Sequence, residues 1–393
     1  MTSYIRRGLA LAALLLAGGC LHQGGGCDLQ AADATAAGQG CSRAWVDANL
    51  HVNDILTVGT HNSYKQAISP KIFALVQTMA PQIAPTLDYS HIPLEAQLND
   101  GARAIEIDVA YDPKGGLFAH PMGPGLAGET VPAGYSAAMS KPGFKVLHFQ
   151  DVDYRSNCLT LIECLTILKA WSHAHPDHVP ILVSMNAKDD SLPNGQGTQA
   201  LKYDAAAFDA LDEEVRSVMA PSDLITPDDV QGSYPTLRDA VLRHGWPVLG
   251  SARGKFIFAL DESEPKISYY RNERRSLEGR VFFVNAPQTS PVAAYLTMNE
   301  AQTDSAAIAS AVKLGFLVRT RADADTLEAR KNDTRRRDKA LASGAQYVST
   351  DYMEPDPRFG PYQTRMPKGV VATCNPVRVA GRCAGATVEA SAQ

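Results

Sequence analysis

The residues of this chain that could do chemistry sit at the ends of short apolar runs. His61 and Asn62 follow Ile55–Val58, and Glu106 and Asp108 lie within Ala104–Val109. His148 follows Lys145–Leu147, and Asn186 and Lys188 follow Ile181–Met185. Glu106 and Asp108 are two positions apart, so on a strand both carboxylates face one side. Inside a fold they would repel each other and lose solvation unless something compensated them. The spacing fits a hard divalent cation, with Asn62 and Asn186 adding neutral oxygens; calcium accepts such a mixed shell more readily than magnesium. It fits equally an ion pair of Glu106 with Arg103 or Arg319.

Two histidines at neighbouring strand ends can divide proton transfer between acid and base, because imidazole titrates near working pH. His120 rivals His148 for the second position, although its Gly and Pro surroundings read as loop. His173, His175 and His178 cluster around a helix end and are expected at the surface. Lys188, Arg319 and Arg321 suit an anion at the mouth of the site, Arg through paired hydrogen bonds and Lys as a point charge. They could instead neutralise Asp189, Asp190, Asp323 or Asp325. Cation site, anion site and two histidines together suggest phosphodiester chemistry.

The elements that must hold these groups alternate. Eight apolar runs read as strands: Ile55–Val58, Ala104–Val109, Lys145–Leu147, Ile181–Met185, Phe256–Leu260, Val281–Val284, Phe316–Val318 and Tyr347–Ser349. Most are continuous, as strands covered on both faces are. Helical spacing occupies Leu94–Asp100, Leu159–His173, Ala205–Met219, Thr236–Arg243, Asp304–Lys313 and Thr334–Ala342. The pattern predicts an α/β fold, a (β/α)8 TIM barrel of about 250 residues or more, with reacting groups where strands run out into loops. The stretches 65–91 and 112–141 are long enough to form lids over that face.

At 393 residues, with 45% hydrophobic and 20% charged content, the chain can bury one large core. Arg6-Arg7, an apolar run from Leu9 to Ala17 and small residues up to Cys20 predict an export signal over 1–20. Leu16 to Cys20 is an imperfect lipoprotein box, so lipidation of Cys20 competes with simple cleavage. The exported product would be secreted, periplasmic or anchored in a bacterial envelope. Residues 21–44, rich in Gly and Ala, read as a flexible arm, 45–356 as the barrel and 357–393 as a tail with a disulfide. Cys27, Cys41, Cys158, Cys164, Cys374 and Cys383 fall into three local pairs, the simplest of fifteen connectivities. A net charge of -5 gives no sign of a nucleic-acid partner, and no protein partner is expected.

Gly59-Thr60-His61-Asn62-Ser63-Tyr64, Gly101 to Asp108 and Leu147-His148-Phe149 resemble the X-region barrel of phosphoinositide-specific phospholipase C. The likeness is to its exported, calcium-dependent bacterial branch, and it extends to Cys158–Cys164, Lys188-Asp189-Asp190 and Ser343–Tyr352. It spans roughly Asp54 to Tyr352. The resemblance implies His61 and His148 as catalytic and Asn62, Glu106 and Asp108 as Ca2+ ligands. Asn186 stands where the family usually has glutamate, so the ion would have one charge fewer. The implied reaction is attack of the inositol 2-hydroxyl on the phosphate of a phosphatidylinositol-type lipid, giving diacylglycerol and a cyclic inositol phosphate. Glu106 or Asp108 is a candidate base, His61 would stabilise charge on the phosphate, and His148 would act as acid or shuttle.

Two other readings compete. Glycerophosphodiester phosphodiesterases and related barrel lipases share such a fold but usually place His-Arg where this chain has His61-Asn62. A catalytically inactive envelope binding protein on a retired barrel is the alternative that Asn186 invites. The phospholipid reading requires contact with a membrane surface, for which Ile72, Phe73, Leu75, Met79 and Met122 are the available apolar residues. Ile72 to Met79 reads equally as helical core.

Overall fold

The computed structural model describes residues 26–191, 195–243, 245–383 and 386–390. The expected signal and Cys20 lie outside the described residues. Among the described residues there are ten strands: β1 Ile55–Thr60, β2 Ala104–Ala110, β3 Lys145–Val146, β4 Ile181–Ala187, β5 Phe256–Leu260, β6 Phe282–Val284, β7 Tyr295–Thr297, β8 Leu317–Arg321, β9 Tyr347–Thr350 and β10 Ala372–Cys374. They form two five-stranded sheets, ordered β10-β1-β9-β8-β7 and β3-β2-β4-β5-β6. Within these, β1, β9, β8 and β7 pair in parallel, as do β2, β4, β5 and β6.

The two parallel sets meet at two seams and make a barrel of (β/α)8 type. At one seam β6 touches β7 through the parallel bridge of Asn285 to Tyr295. At the other, Arg103 N–H donates to the Val58 carbonyl (2.8 Å) and Ser63 N–H to the Glu106 carbonyl (2.9 Å). Gly59 is required there, because a Cβ on it would lie 1.9 Å from the Ala104 carbonyl oxygen. Ile105 and Ile107 alternate with Glu106 and Asp108 along β2, and all are buried. Apolar side chains thus pack under the helices while the carboxylates turn to the barrel axis.

The strand expectation is corrected at two places. Lys145–Leu147 is no barrel strand: β3 is two residues long and pairs antiparallel with the end of β2, Val146 opposite Val109. The missing barrel strand is Tyr295–Thr297, three residues long and too short to announce itself by periodicity. The helices fall where expected, with Leu161–Ala174, Ala205–Val218 and Ala301–Leu314 the longest at fourteen residues each.

The arm expectation also needs correction. Described residues of 21–44 are held, not loose: Ala34, Ala37 and Cys41 are buried with Trp45, whose indole N–H donates to the Ala31 carbonyl at 3.0 Å. The small residues that looked like a tether are small because they pack against an indole. The tail joins them: β10 pairs antiparallel with β1, and Arg103 is bound by Glu389. Disulfides link Cys27–Cys41, Cys158–Cys164 and Cys374–Cys383. At the opposite face, the 65–91 and 112–141 stretches contain helices Pro70–Met79, Met122–Ala127 and Tyr135–Met139 around a separate apolar cluster that includes Ile72, Phe118 and Tyr135.

Candidate active site

Strand polarity brings the sequence-predicted residues to one end of the barrel. Glu106 and Asp108 are 3% and 2% exposed. The β2–β4 register puts Asn186 opposite Asp108, and its side-chain amide donates to Glu106 Oε1 (2.9 Å) and Asp108 Oδ1 (3.0 Å). Arg319, from β8, binds Glu106 through Nη2 and reaches Asp261 (3.3 Å) and Asn299 (3.0 Å) through Nη1. Lys188 Nζ stands 3.4 Å from Asp108. Of the two arginines that spacing offered to Glu106, Arg319 takes it and Arg103 points the other way, to Glu389.

Burial raises the cost of ionising Asp108. Lys188, His148, Asn186 and Tyr64 more than offset that cost and hold its carboxyl below the usual carboxylate range. Asp261 moves the other way, because burial outweighs the charge of Arg319. Asp108 in turn raises the Lys188 ammonium against the opposing effect of burial.

His61 follows β1 at a turn in which Asn62 takes a positive φ of 48°, a conformation asparagine tolerates. Its Nδ1 is 2.7 Å from Asp351 Oδ1, at the end of neighbouring β9. Its Nε2 lies 3.3 Å from Arg321 Nη1 and 3.6 Å from Glu106 Oε1. Arginine only donates, so the contact suits an imidazole with its proton on Nδ1, toward Asp351, and its lone pair on Nε2. Arg321 Nη2 also binds Asp351 at 2.9 Å. Burial opposes the Asp351 charge, yet His61 and Arg321 pull its carboxyl far below the ordinary range. Behind it, Asp323 accepts from the Asp351 N–H (2.8 Å), from Tyr362 (3.1 Å) and from the Thr350 hydroxyl. Burial and the nearby Asp351 push the Asp323 carboxyl up to about 7.

His148 is built on the same plan from different parts. Its Nδ1 is 2.7 Å from Asp153 Oδ2, and Asp153 is 3.2 Å from the ammonium of Lys65, a fully buried side chain. His61 and His148 each keep 18% of their side chain exposed, enough to meet a ligand. Read from the sequence, neither histidine is paired with an aspartate, and Asp153, Asp351, Lys65, Tyr64 and Tyr89 have no role. A usable signal existed for Asp351: barrel closure sets the last strand beside the first, and a working imidazole commonly has a carboxylate on its other nitrogen.

His91 stands behind His61, its Nε2 2.8 Å from the His61 carbonyl oxygen. The other histidines singled out from the sequence contact neither His61 nor the carboxylate pair in any hydrogen bond or ion pair among the described residues. His120 is exposed, and His173 binds Asp223 at 3.1 Å. His178, expected at the surface, is buried between Ser172 (2.7 Å) and the Val179 carbonyl (2.6 Å), and desolvation lowers it to about 4.

The donor set fits a hard cation in its chemistry. Two buried carboxylates lie side by side, and the Tyr64 hydroxyl lies between Asn62 Oδ1 (3.5 Å) and Asp108. Asn62 Nδ2 is taken up by Tyr89 (2.7 Å), which leaves the amide oxygen on the carboxylate side. Asn186 turns its amide nitrogen to the carboxylates, and a half-turn of that amide would present its oxygen. Among the described residues no three His, Cys, Asp or Glu side chains converge as a metal cluster.

The family model for calcium-dependent phosphoinositide phospholipase C matches residues 50–376. Comparison with curated proteins gave no match. Among solved structures, the calcium-dependent phosphoinositol-specific phospholipase C of a Gram-negative Pseudomonas species is similar in its apo form, with 18% identity and a TM-score of 0.51 over 84% of this chain and 96% of that one. The myo-inositol complex of that enzyme gives 19% identity and a TM-score of 0.50 over 83% and 96%. At such identity the structures establish the fold, and the family model carries the assignment. The chain therefore belongs to the calcium-dependent phosphoinositide phospholipase C family and is a phosphoric diester hydrolase with Ca2+ as its cofactor.

Proposed function

We propose that this enzyme cleaves phosphatidylinositol-type lipids by intramolecular attack of the inositol 2-hydroxyl on phosphorus, releasing diacylglycerol and a cyclic inositol phosphate. The observation that carries the reading is the pair of histidines, each with Nδ1 held 2.7 Å from a buried aspartate, flanking one carboxylate pair. In this reading Asn62, Glu106, Asp108 and Asn186 would hold Ca2+, which when bound supplies positive charge to the phosphate and the attacking hydroxyl.

The chain's own groups then divide the protons. Asp108, held below the ordinary carboxylate range, is a weak base, and Glu106 is committed to Arg319. His61 Nε2, with its lone pair free of Asp351, is the better acceptor for the 2-hydroxyl proton as the new O–P bond forms. His148 gives its proton to the glycerol oxygen as the old P–O bond breaks. Arg321 and Lys188, which keep part of their side chains exposed, would offset the charge that develops on the phosphate oxygens, while Arg319 holds Glu106 in place.

Substrate is delivered from a bilayer. Ile72 is buried, so it is not part of the membrane contact. Met79 is 77% exposed and Leu126 58%, on the helices Pro70–Met79 and Met122–Ala127, and Ile83, in the turn before Ala84–Leu87, is 56% exposed. They form the apolar edge that would enter the lipid surface. Three disulfides support export.

Incubation with phosphatidylinositol and, separately, with glycerophosphoinositol tests the reading. Calcium-dependent release of diacylglycerol from the lipid supports it. Hydrolysis of glycerophosphoinositol alone would move the enzyme to the glycerophosphodiester class.

A further inference from the structure

We propose that Lys65 is a positioning residue for the reaction: it clamps the loop of His148 to the loop of Tyr89, and through Tyr89 to His61 and Asn62. The inference rests on the proposed role of His148. An ammonium with no exposed surface is costly to bury, and the cost is met only when every proton finds an acceptor. Here all three do. Lys65 Nζ donates to the carbonyls of Leu87 (3.0 Å) and Tyr89 (2.9 Å) and stands 3.2 Å from Asp153 Oδ2.

Each contact leads toward the reacting groups. Asp153 Oδ2 is the atom that holds His148 Nδ1, while Asp153 Oδ1 is buried with no hydrogen-bond partner among the described residues. Lys65 and His148 together therefore compensate this carboxylate. On the other side, Lys65 lies over the Tyr89 ring at 4.7 Å. The Tyr89 hydroxyl accepts from Asn62 Nδ2 (2.7 Å) and is 3.4 Å from His61 Nδ1. Its ring stacks with that of His61 at 6.0 Å between centroids. The backbone is tied at the same point, where Lys65 bridges Ser156 and Asn157 N–H donates to the Tyr64 carbonyl at 2.7 Å.

His148 needs this help because β3 is only two residues long. An apolar residue at 65 would release the 87–89 carbonyls and leave Asp153 short of a cation. The aspartate and His148 would then settle away from the position that reaches the leaving oxygen. Misplacement of that kind costs turnover more than affinity.

The test is a double-mutant cycle of Lys65→Met and Asp153→Asn, measured as kcat and KM on a short-chain soluble phosphatidylinositol with calcium. Each single variant is expected to lose about 10- to 100-fold in kcat per folded enzyme with KM within about twofold. The double variant is expected to lose well short of the product of the two single losses, because both substitutions break the Lys65–Asp153 connection. A wild-type kcat for Lys65→Met, or losses that multiply in the double variant, would overturn the proposal. Should Lys65→Met fail to fold, the double variant, which removes both buried charges, is compared with Asp153→Asn alone: equal kcat supports the clamp and a tenfold lower kcat overturns it. His148→Ala separates the two levels of the argument. A near wild-type kcat there removes the site reading itself, whereas an inactive His148→Ala beside a wild-type Lys65→Met removes only the clamp.

Discussion

The two histidine arms of this site follow one plan on unlike supports. In the His61 arm the imidazole, Asp351 and Arg321 stand on or directly after three neighbouring barrel strands, β1, β9 and β8. In the His148 arm the imidazole and Asp153 sit five residues apart in a loop after a two-residue strand, joined by the antiparallel bridge of Phe149 to Asp153. The first arm inherits its geometry from the ladder hydrogen bonds of a parallel sheet. The second has no ladder beneath it and uses a buried lysine instead. Strand-borne groups need few additional contacts to stay in place, while loop-borne groups need a local charged clamp.

The largest expected effect treats the arms as equals. His61→Ala and His148→Ala should each lower kcat on phosphatidylinositol by about 10²- to 10⁴-fold, with thermal midpoints close to wild type. A variant that keeps wild-type turnover would remove its arm from the chemistry.

The partner aspartates should separate the arms. Asp351→Asn leaves His61 between two strands with Arg321 still beside its Nε2, so a loss of about 10- to 100-fold in kcat is expected. Asp153→Asn should cost as much in turnover, and it should also expose its loop: limited proteolysis near 148–157 ought to accelerate in this variant and not in Asp351→Asn. Equal protection of both loops would contradict the contrast between supports.

A smaller, pH-linked difference belongs to the His61 arm alone. Asp323 has its folded pKa raised to about 7 by burial and by Asp351, against about 4 for an unfolded aspartate. Between these values the folded state holds a proton that the unfolded state has released, so stability from this group declines as pH rises from about 4 to 7 and levels off above. Asp323→Asn should abolish that slope, its urea midpoint gaining on wild type across the window. Parallel curves for the two proteins would show that Asp323 is not protonated in the fold.

The smallest effect concerns delivery. Met79→Ser with Leu126→Ser should reduce turnover on vesicles several-fold and leave soluble substrate unaffected, since both side chains are exposed and away from the carboxylates.

What was legible in the sequence follows the same division. Glu106 and Asp108 could be placed together because a strand has a period of two, and His61 with Asn62 could be placed above them because β1 ends in polar groups. The fold class was readable from continuous apolar runs. Individual strands were less so: Lys145–Leu147 looks like a barrel strand and pairs antiparallel, whereas Tyr295–Thr297 is too short to show a pattern. The Lys65–Asp153 pair was not legible at all, since it joins residues far apart in the chain through loops that no periodicity describes. The anion-binding expectation for Arg319, Arg321 and Lys188 was half visible, because each cation rests on a carboxylate of the site itself. The arm before Trp45 misled by composition, where small residues mark close packing and not freedom.

The most direct measurement follows phosphorus. Phosphatidylinositol in detergent micelles, turned over with calcium and monitored by 31P NMR, should show a cyclic inositol phosphate signal before any acyclic one. That signal should vanish with chelator and in His61→Ala. Acyclic phosphate formed from the outset, or a rate indifferent to calcium, would contradict the account.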